Sequence, residues 1–97
     1  MKVAELKDGM RRVDVQGVIT EAQEPRTVTI KSTNEERQVC HFTFQDMDGG
    51  IIDFVLWGED IAAVKKDSIV SLTNGYVSSW QGKLQLNKGK YGKMTIQ

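Results

Sequence analysis

An aromatic side chain stands at the tip of a predicted β-hairpin, where the surroundings are mostly solvent. Trp80 directly precedes the turn residues Gln81 and Gly82, and Tyr76 lies four positions before it, on the same face of a regular strand. Such rings are either folded back into the core or left exposed for a partner. An exposed ring can stack against a nucleic-acid base, which is worth about 1–3 kcal/mol whatever the base is.

Trp57 raises the same question at the end of the apolar run IIDFVLW. Successive side chains of a strand point to opposite faces, so an inward set of Ile52, Phe54 and Leu56 leaves Trp57 pointing outward. The ring either folds over the end of a barrel as a plug or serves as a stacking platform. The three phenylalanines share parity with other apolar residues and are predicted to be core residues.

Positive charge accompanies these aromatic residues, although the chain as a whole is neutral. It has 13 basic and 13 acidic residues, a balance that by itself argues against strong nucleic-acid binding. Residues 76–97 nevertheless contain four lysines and no acid, which leaves nine basic and thirteen acidic residues in 1–75, so the two parts carry +4 and −4. A lysine-rich end either solvates the chain or supplies phosphate contacts beside the rings.

No set of residues favours catalysis or a bound ion. Cys40 and His41 are the only cysteine and histidine, and as neighbours on a strand they point to opposite faces, Cys40 to the core and His41 outward. This content excludes a disulfide framework and leaves a structural zinc site short of ligands. Asp46 and Asp48 with Gly49 suggest a turn, because too few carboxylates converge for calcium. We therefore predict a protein that is not an enzyme and has no cofactor.

Short alternating apolar runs, rather than helical periodicity, dominate the sequence. Three predicted strands lie in RRVDVQGVIT, in EPRTVTIKSTNEERQVCHFTFQD, which resumes as a strand after the polar KSTNEE, and in IIDFVLW. A short helix follows in GEDIAAVKKD, and then two strands in SIVSLTNGYVSSW and GKLQLN. This order is that of an OB-fold, an all-β, five-stranded Greek-key barrel with one short helix between strands 3 and 4. An SH3-like barrel lacks the helix at that point, and an open β-meander is the other alternative. We predict one OB-fold domain over residues 1–97.

Several local features are predicted along this barrel. DMDGG forms a hairpin turn, Asn74-Gly75 a bulge or kink, and Gly17 a bend or bulge in the first strand. The polar stretch KSTNEE forms a loop, and the terminal YGKMTIQ closes against the first strand. No apolar run approaches the roughly 18 residues of a membrane span, and the N-terminus lacks a secretory signal. With its single cysteine the protein is predicted to be cytoplasmic.

An OB-fold would bring the three exposed aromatics together. Its ligand groove lies over strands 2 and 3, framed by the loops between strands 1 and 2 and between strands 4 and 5. Trp57 ends strand 3, and Tyr76 and Trp80 approach the 4–5 loop. Lys83 and Lys88 lie beside this loop on strand 5. A basic track with stacking rings is typical of proteins that bind single-stranded nucleic acid.

The sequence resembles the OB domain of archaeal single-stranded DNA-binding proteins of the replication protein A type. The resemblance covers residues 3–96 and rests on LKDGMRRVDVQGVI, EPR, DGG followed by LWGE, and VKKDSIVSLTNGYVSSWQGKLQLNKGKYG. It implies a non-catalytic domain that binds single-stranded DNA with little sequence preference, in replication, recombination or repair. The positions that it implies are Trp57, Tyr76 and Trp80 for stacking and Arg26 and Lys83 for basic contacts.

Three further cations are predicted to lie in the groove from their position in the fold alone: Arg37, Lys31 and Lys88. The alternative for each of them is an ordinary solvated surface charge. Many relatives join several OB domains or add a zinc finger or an acidic tail, so this chain is either a small subunit or one domain of a longer protein. The alternative function is a protein-interaction or oligomerisation module of a replication-type complex, with the same rings buried against another subunit or OB domain. RNA is a close variant of the DNA hypothesis, because no residue recognisably reads the 2′-OH.

Overall fold

A computed structural model describes residues 2–97 of the chain. These residues form seven β-strands, one short α-helix and a 3-10 helix at Val3–Glu5. The elements follow in the order β1 Arg11–Ala22, β2 Arg26–Ile30, β3 Glu35–Asp46, β4 Ile51–Trp57, α1 Asp60–Ala63, β5 Ile69–Trp80, β6 Lys83–Asn87 and β7 Lys93–Ile96. No helix within residues 2–97 is long and apolar enough to cross a membrane.

Five of the β-strands pair into a closed circle, which we call the strand ring. Their order along the sheet is β1-β3-β4-β6-β5, and β5 pairs again with β1. The β4–β6 pairing is parallel, and the other pairings in the ring are antiparallel. Along the chain the ring strands follow as three strands, α1 and two strands. The predicted OB-fold is therefore confirmed.

Two strands lie outside the ring and correct the sequence prediction. β2 pairs with the first half of β3, with Arg26 opposite Val39. The predicted loop KSTNEE is therefore the turn of a β2–β3 hairpin, and its two glutamates already belong to β3. β7 pairs with β5, with Val70 opposite Ile96, and the prediction that this segment closes against the first strand was wrong. β6 covers only the second half of β5, which leaves the edge of the first half for β7.

The core fills the inside of the ring with alternate residues of the strands. Phe44 and Phe54 are fully buried and contact each other edge-on, with ring centroids 5.7 Å apart. Cys40 and Phe42 are buried on the same face of β3, as predicted. Val64, which directly follows α1, is also buried in this core, although it does not belong to a strand. Burial of a large apolar side chain contributes roughly 1.5–3 kcal/mol, so these residues stabilise the sheet that carries the outward face.

Gly17 has a packing role in place of the bend predicted for it. A side chain at this position would collide with the Gln45 carbonyl oxygen and the Phe44 ring. The close approach of β1 to β3 therefore requires glycine. The bulge between these two strands lies further on, between Ile19 and Glu21.

The turn between β3 and β4 is held by Asp46. Its carboxylate accepts backbone hydrogen bonds from Val3, Gly50 and Asp48 at 2.6, 2.8 and 3.0 Å. The predicted turn at this segment is confirmed. These hydrogen bonds, that from Val3 first, lower the pKa of Asp46 below its ordinary value.

Acid is expected to weaken the fold through Asp46. A carboxyl whose pKa is lower in the folded state stabilises the fold above the unfolded pKa of about 3.9, and this contribution is lost as the pH falls towards the folded pKa. We expect the urea midpoint of the wild type to fall between about pH 4 and about pH 2, and that of Asp46→Asn to fall less over the same range. Equal pH dependence in the two proteins would contradict this role of Asp46.

Candidate nucleic-acid interface

Cross-strand pairing places three exposed aromatic residues on one outward face of the strand ring, and we call this surface the aromatic face. Tyr76 of β5 lies opposite Asn87 of β6, which lies opposite Val55 of β4, two residues before Trp57. Trp80 lies four residues beyond Tyr76, on the same face of β5. Trp57, Tyr76 and Trp80 are 44%, 42% and 58% exposed. All three side chains are therefore exposed in part, and Trp80 at the hairpin tip is the most exposed of them.

Trp57 and Tyr76 share a recess of about 570 Å³ at one end of the aromatic face, here named the Trp57 recess. The charged residues lining this recess are Arg37, Lys88, Lys90 and Asp60. Two exposed rings and three cations therefore meet in one concave surface. Of the predicted cations, the structure brings Arg37 and Lys88 to this recess.

Two of these cations already face a carboxylate. Lys88 Nζ lies 3.3 Å from Asp60 Oδ2. Arg37 Nη2 lies 3.5 Å from Glu35 Oε2. Partly exposed pairs are worth about 0–1 kcal/mol each, so a phosphate group can compete with either carboxylate. Within residues 2–97, Lys90 has no carboxylate at salt-bridge distance, which makes it the lysine of the recess most open to an anion.

A bulge turns Tyr76 outward. Leu72 is buried in the core, and in a regular strand Tyr76, four residues later, would point the same way. The bulge predicted at Asn74-Gly75 is confirmed by a φ of 59° at Asn74 and by a shift in the β1–β5 register. It reverses the alternation of faces, so Val77 points to the core and Tyr76 to the recess.

The turn after β6 supports the Tyr76 ring. Gly89 has a φ of 72°, and a Cβ atom there would come within 2.8 Å of the ring. Only glycine lets the backbone approach the ring this closely in this conformation. The position of Tyr76 in the recess is therefore set by the backbone on two sides, the β5 bulge and the Gly89 turn.

The middle of the aromatic face is polar and not basic. Asp53 Oδ2 lies 2.8 Å from His41 Nδ1 and accepts a hydrogen bond from Gln85 Nε2 at 3.1 Å. Because a carboxylate only accepts hydrogen bonds, the proton between Asp53 and His41 belongs to the histidine. His41 faces outward, as predicted. A carboxylate at this place repels anions, so the cationic rim of the face favours an anion more than its middle does.

Trp80 and Lys83 lie at the other end of the aromatic face. They pair across the β5–β6 hairpin, and the rise of a strand places Trp80 about 13 Å from Tyr76. Lys83 lines a separate recess of about 700 Å³ together with Ile51 and Asp53. Lys83 begins β6 and Lys88 follows its end, so these two lysines bracket the strand instead of lying side by side.

The β2–β3 hairpin carries the last two predicted cations. Arg26 lies opposite Val39, and Val39 lies opposite Trp57, so Arg26 shares the outward face with that ring. Lys31 lies in the turn of the hairpin, beyond the paired residues. Arg26 is therefore placed at the rim of the aromatic face and Lys31 away from it.

Tyr76 also lines a neighbouring recess of about 460 Å³, here named the Tyr91 recess. Four cations and a second tyrosine line it: Arg11, Arg12, Lys88, Lys90 and Tyr91. Only Lys88 of these was predicted as a site residue. The run of lysines without acids in residues 76–97 could have drawn attention to Lys90 and Tyr91, whereas no pattern marks the two arginines as neighbours of Tyr76.

Among residues 2–97, His41 and Asp53 form a pair, but no larger group of potential metal ligands surrounds them. In the described part of the chain, no three His, Cys, Asp or Glu side chains group as metal ligands. Burial, and to a smaller extent the charge of Glu24, raise the pKa of the Cys40 thiol. A buried thiol with a raised pKa is a poor nucleophile. The aromatic face can therefore stack, hydrogen-bond and hold anions, which is the chemistry of a binding surface.

Comparison with solved structures defines the class of domain. An OB domain from Thermoplasma acidophilum superposes with a TM-score of 0.83 over 100% of this chain and 85% of that chain. A hypothetical protein from Arabidopsis thaliana gives 0.78, with coverage of 100% and 72%. A replication protein A heterotrimer bound to single-stranded DNA gives 0.78, with coverage of 97% and 23%. Each is 18% identical to this chain, so the likeness shows the fold.

Sequence comparison shows the family. The model of the replication protein A OB domain matches residues 2–97, and the chain belongs to this family. The single-stranded DNA-binding protein Ssb of Saccharolobus solfataricus is 30% identical over 93 residues. The match covers 96% of this chain and 61% of that protein, so the chain spans less than two thirds of the relative's length. The family inferred from the sequence motifs is confirmed.

Proposed function

We propose that the chain binds single-stranded DNA with little sequence preference, stacking bases on its exposed rings and holding phosphates at its cations. The observation that carries this proposal is the Trp57 recess, where two exposed rings meet three cations. A ring stacks on any base and a cation contacts any phosphate, so neither selects a sequence. The name of the Saccharolobus relative supports single-stranded DNA as the ligand.

Each part of the aromatic face has a role in this proposal. Trp57 and Tyr76 stack neighbouring bases in the recess, and Trp80 stacks a base at the other end of the face. The bases lie over the polar middle of the face, where the free ring nitrogen of His41 can accept a hydrogen bond and the second N–H of the Gln85 amide can donate one. The proposed phosphate contacts on the face are Arg26, Arg37, Lys83, Lys88 and Lys90, whereas Lys31 lies away from the face and is assigned no contact there.

Salt dependence follows from the small number of cations. For single strands, log K falls with log salt by about 0.7 per phosphate neutralised. The three cations of the Trp57 recess would give a slope of about −2, or about a 100-fold loss of affinity between about 0.05 and about 0.5 M salt. The contacts outside the recess would make the slope steeper.

A fluorescence titration with oligo-dT tests the proposal. Trp80→Ala leaves Trp57 as the only tryptophan, so the signal of this variant reports on the recess alone. We expect quenching in the wild type and in Trp80→Ala, with affinity that falls with salt at the slope given above. Absence of quenching at low salt, with protein and DNA well above micromolar concentrations, would overturn the proposal for this domain.

A second candidate function is protein interaction or oligomerisation within a replication-type complex. Trp80 and Ile51 are 58% and 63% exposed, and exposed aromatic residues are frequent anchors of protein interfaces. The neutral charge of the chain also suits a protein partner. An interface of this kind weakens little with salt, so the titration above separates it from DNA binding.

RNA binding is a variant of the main proposal, and competition of oligo-U against oligo-dT measures the preference. We further propose that the domain is non-catalytic and works in the cytoplasm on DNA exposed in replication, recombination or repair. Other subunits or OB domains of a replication complex are its proposed partners. The likeness to a chain of a replication protein A heterotrimer supports this last proposal at the level of the fold.

A further inference from the structure

The Tyr91 recess carries an exposed ring that the proposed function does not use. Tyr91 is 76% exposed, more than Trp57, Tyr76 or Trp80. Lys90 Nζ lies 5.7 Å from the centroid of its ring, within the range of a cation–π interaction. An open ring with a cation beside it has the two elements that bind a nucleotide, a stacking surface and a phosphate contact.

A bulge brings two arginines to the same recess. Val13 is buried, and in a regular strand Arg11, two residues before it, would point into the core as well. Arg12 has a φ of 56°, and the β1–β5 register shifts between Arg11 and Val13. Bulges redirect side chains, and here both arginines are exposed and line the recess.

The positive charge of this recess is largely unopposed. The lining residues include four cations and no acid. Within residues 2–97, Arg11, Arg12 and Lys90 have no carboxylate at salt-bridge distance, and only Lys88 is paired, with Asp60. Four of the thirteen basic residues of a neutral chain therefore gather at one concave site. Such a site favours a polyanion.

We propose that the Tyr91 recess extends the path of a bound single strand, with a base stacked on Tyr91 and the adjoining phosphates held by Arg11, Arg12 and Lys90. This extension rests on the proposed function, because the strand reaches it from the Trp57 recess. Tyr76 lines both recesses, together with Lys88 and Lys90.

The direction of the extended path follows from the pairing of the strands. Tyr76 of β5 lies opposite Asn87 of β6 on one side and opposite Arg11 of β1 on the other. A bound DNA strand that passes Tyr76 therefore crosses the sheet from β4 over β6 and β5 to β1. Trp80 lies along β5 instead, so the extension enlarges the site in a direction away from Trp80.

The test is the affinity for labelled dT oligomers of increasing length, from about 4 to about 16 nucleotides, measured by fluorescence anisotropy. The variants are Tyr91→Ala and the double variant Arg11→Gln with Arg12→Asn, since asparagine tolerates a positive φ. Tyr91→Phe keeps the ring. Lys93→Gln is the matched charge control, because Lys93 is exposed and lies close in sequence but is not among the residues lining either recess.

Tyr91→Ala is expected to bind the shortest oligomers as the wild type does and the longer ones roughly 5- to 100-fold more weakly. The double arginine variant is expected to lower the salt slope for long oligomers by about 1.4. Tyr91→Phe and Lys93→Gln are expected to match the wild type at every length. Thermal melts of the free proteins check that each variant is folded.

The two proposals fail in different ways. Wild-type affinity for all lengths in both Tyr91→Ala and the arginine variant would overturn the extension and leave the proposed function standing. Equal weakening at every length would also overturn it, because the recess would then act on the fold or on the Trp57 recess. If the wild type bound no oligomer of any length, the proposed function itself would fail.

Discussion

Replacing Trp57 with alanine is expected to weaken the binding of oligo-dT by roughly 5- to 100-fold and to leave the fold intact. The ring is 44% exposed on the outward face of β4, and loss of one stacking partner costs about 1–3 kcal/mol. Substitutions of exposed residues usually change the free energy of unfolding by less than about 0.5 kcal/mol. Anisotropy gives the affinity, and urea unfolding of the same sample gives the stability.

Trp57→Phe is the matched control, because it keeps an aromatic ring at the same place and is expected to lose less affinity than Trp57→Ala. The stability measurement decides between the two roles that the sequence left open for this residue. A loss of more than about 2 kcal/mol on truncation to alanine would show that the ring is a plug over the barrel end. Unchanged affinity would remove Trp57 from the binding site.

Replacing Phe54 with alanine is expected to have the reverse effect, although it lies only three positions earlier on β4. Phe54 is fully buried and contacts Phe44 edge-on at 5.7 Å. Truncation of a buried phenylalanine costs about 3–5 kcal/mol, a large share of the roughly 5–15 kcal/mol that stabilises a small domain. Urea and thermal unfolding measure this loss directly.

Phe54→Leu is expected to lose less stability, because leucine fills more of the space that the ring occupies. The variants at Trp57 and Phe54 distinguish the two faces of β4. The outward substitution is expected to weaken DNA binding, and the inward substitution is expected to lower the stability of the fold. If Phe54→Ala unfolded no more easily than Trp57→Ala, the assignment of inward and outward residues on this strand would be wrong.

The five β-strands of the strand ring, and the inward and outward faces of these strands, could be predicted because the sequence patterns that mark them are local. Alternation with period two marks Phe42, Phe44 and Phe54 as inward, and the same alternation marks Trp57 as outward. The bulge at Asn74-Gly75 was also predicted, since this dipeptide adopts a positive φ easily. The order of strands and helix along the chain was then sufficient for the OB-fold.

The errors in the fold concern pairings that depend on the tertiary structure. In the β2–β3 hairpin the first residues of β3, 35–38, are all exposed, so no apolar alternation marks them as a strand, and the two glutamates among them were assigned to a loop. β7 was assigned to the wrong partner, because the edge it occupies exists only where β6 leaves β5 unpaired. Gly17 was assigned a bend because a close approach between strands cannot be read from one strand alone.

The candidate site was predicted in part for the same reasons. Trp57 and Tyr76 do share a recess, and Arg37 and Lys88 line it. Arg11 and Arg12 were missed because a bulge with no Asn-Gly or Gly signature redirects them. The salt bridge of Lys88 with Asp60 joins residues distant in sequence, and no spacing rule reveals it.

The most direct test of DNA binding at the aromatic face is a 1H–15N correlation NMR titration of the labelled protein with oligo-dT. We expect the largest shifts at the indole N–H of Trp57 and at the amides of Tyr76, Gly89 and Lys90, with the amides of Met47 and Thr95 unchanged. Shifts confined to the β3–β4 turn and β7, or no shifts at all with excess DNA at low salt, would contradict a nucleic-acid site at the Trp57 recess.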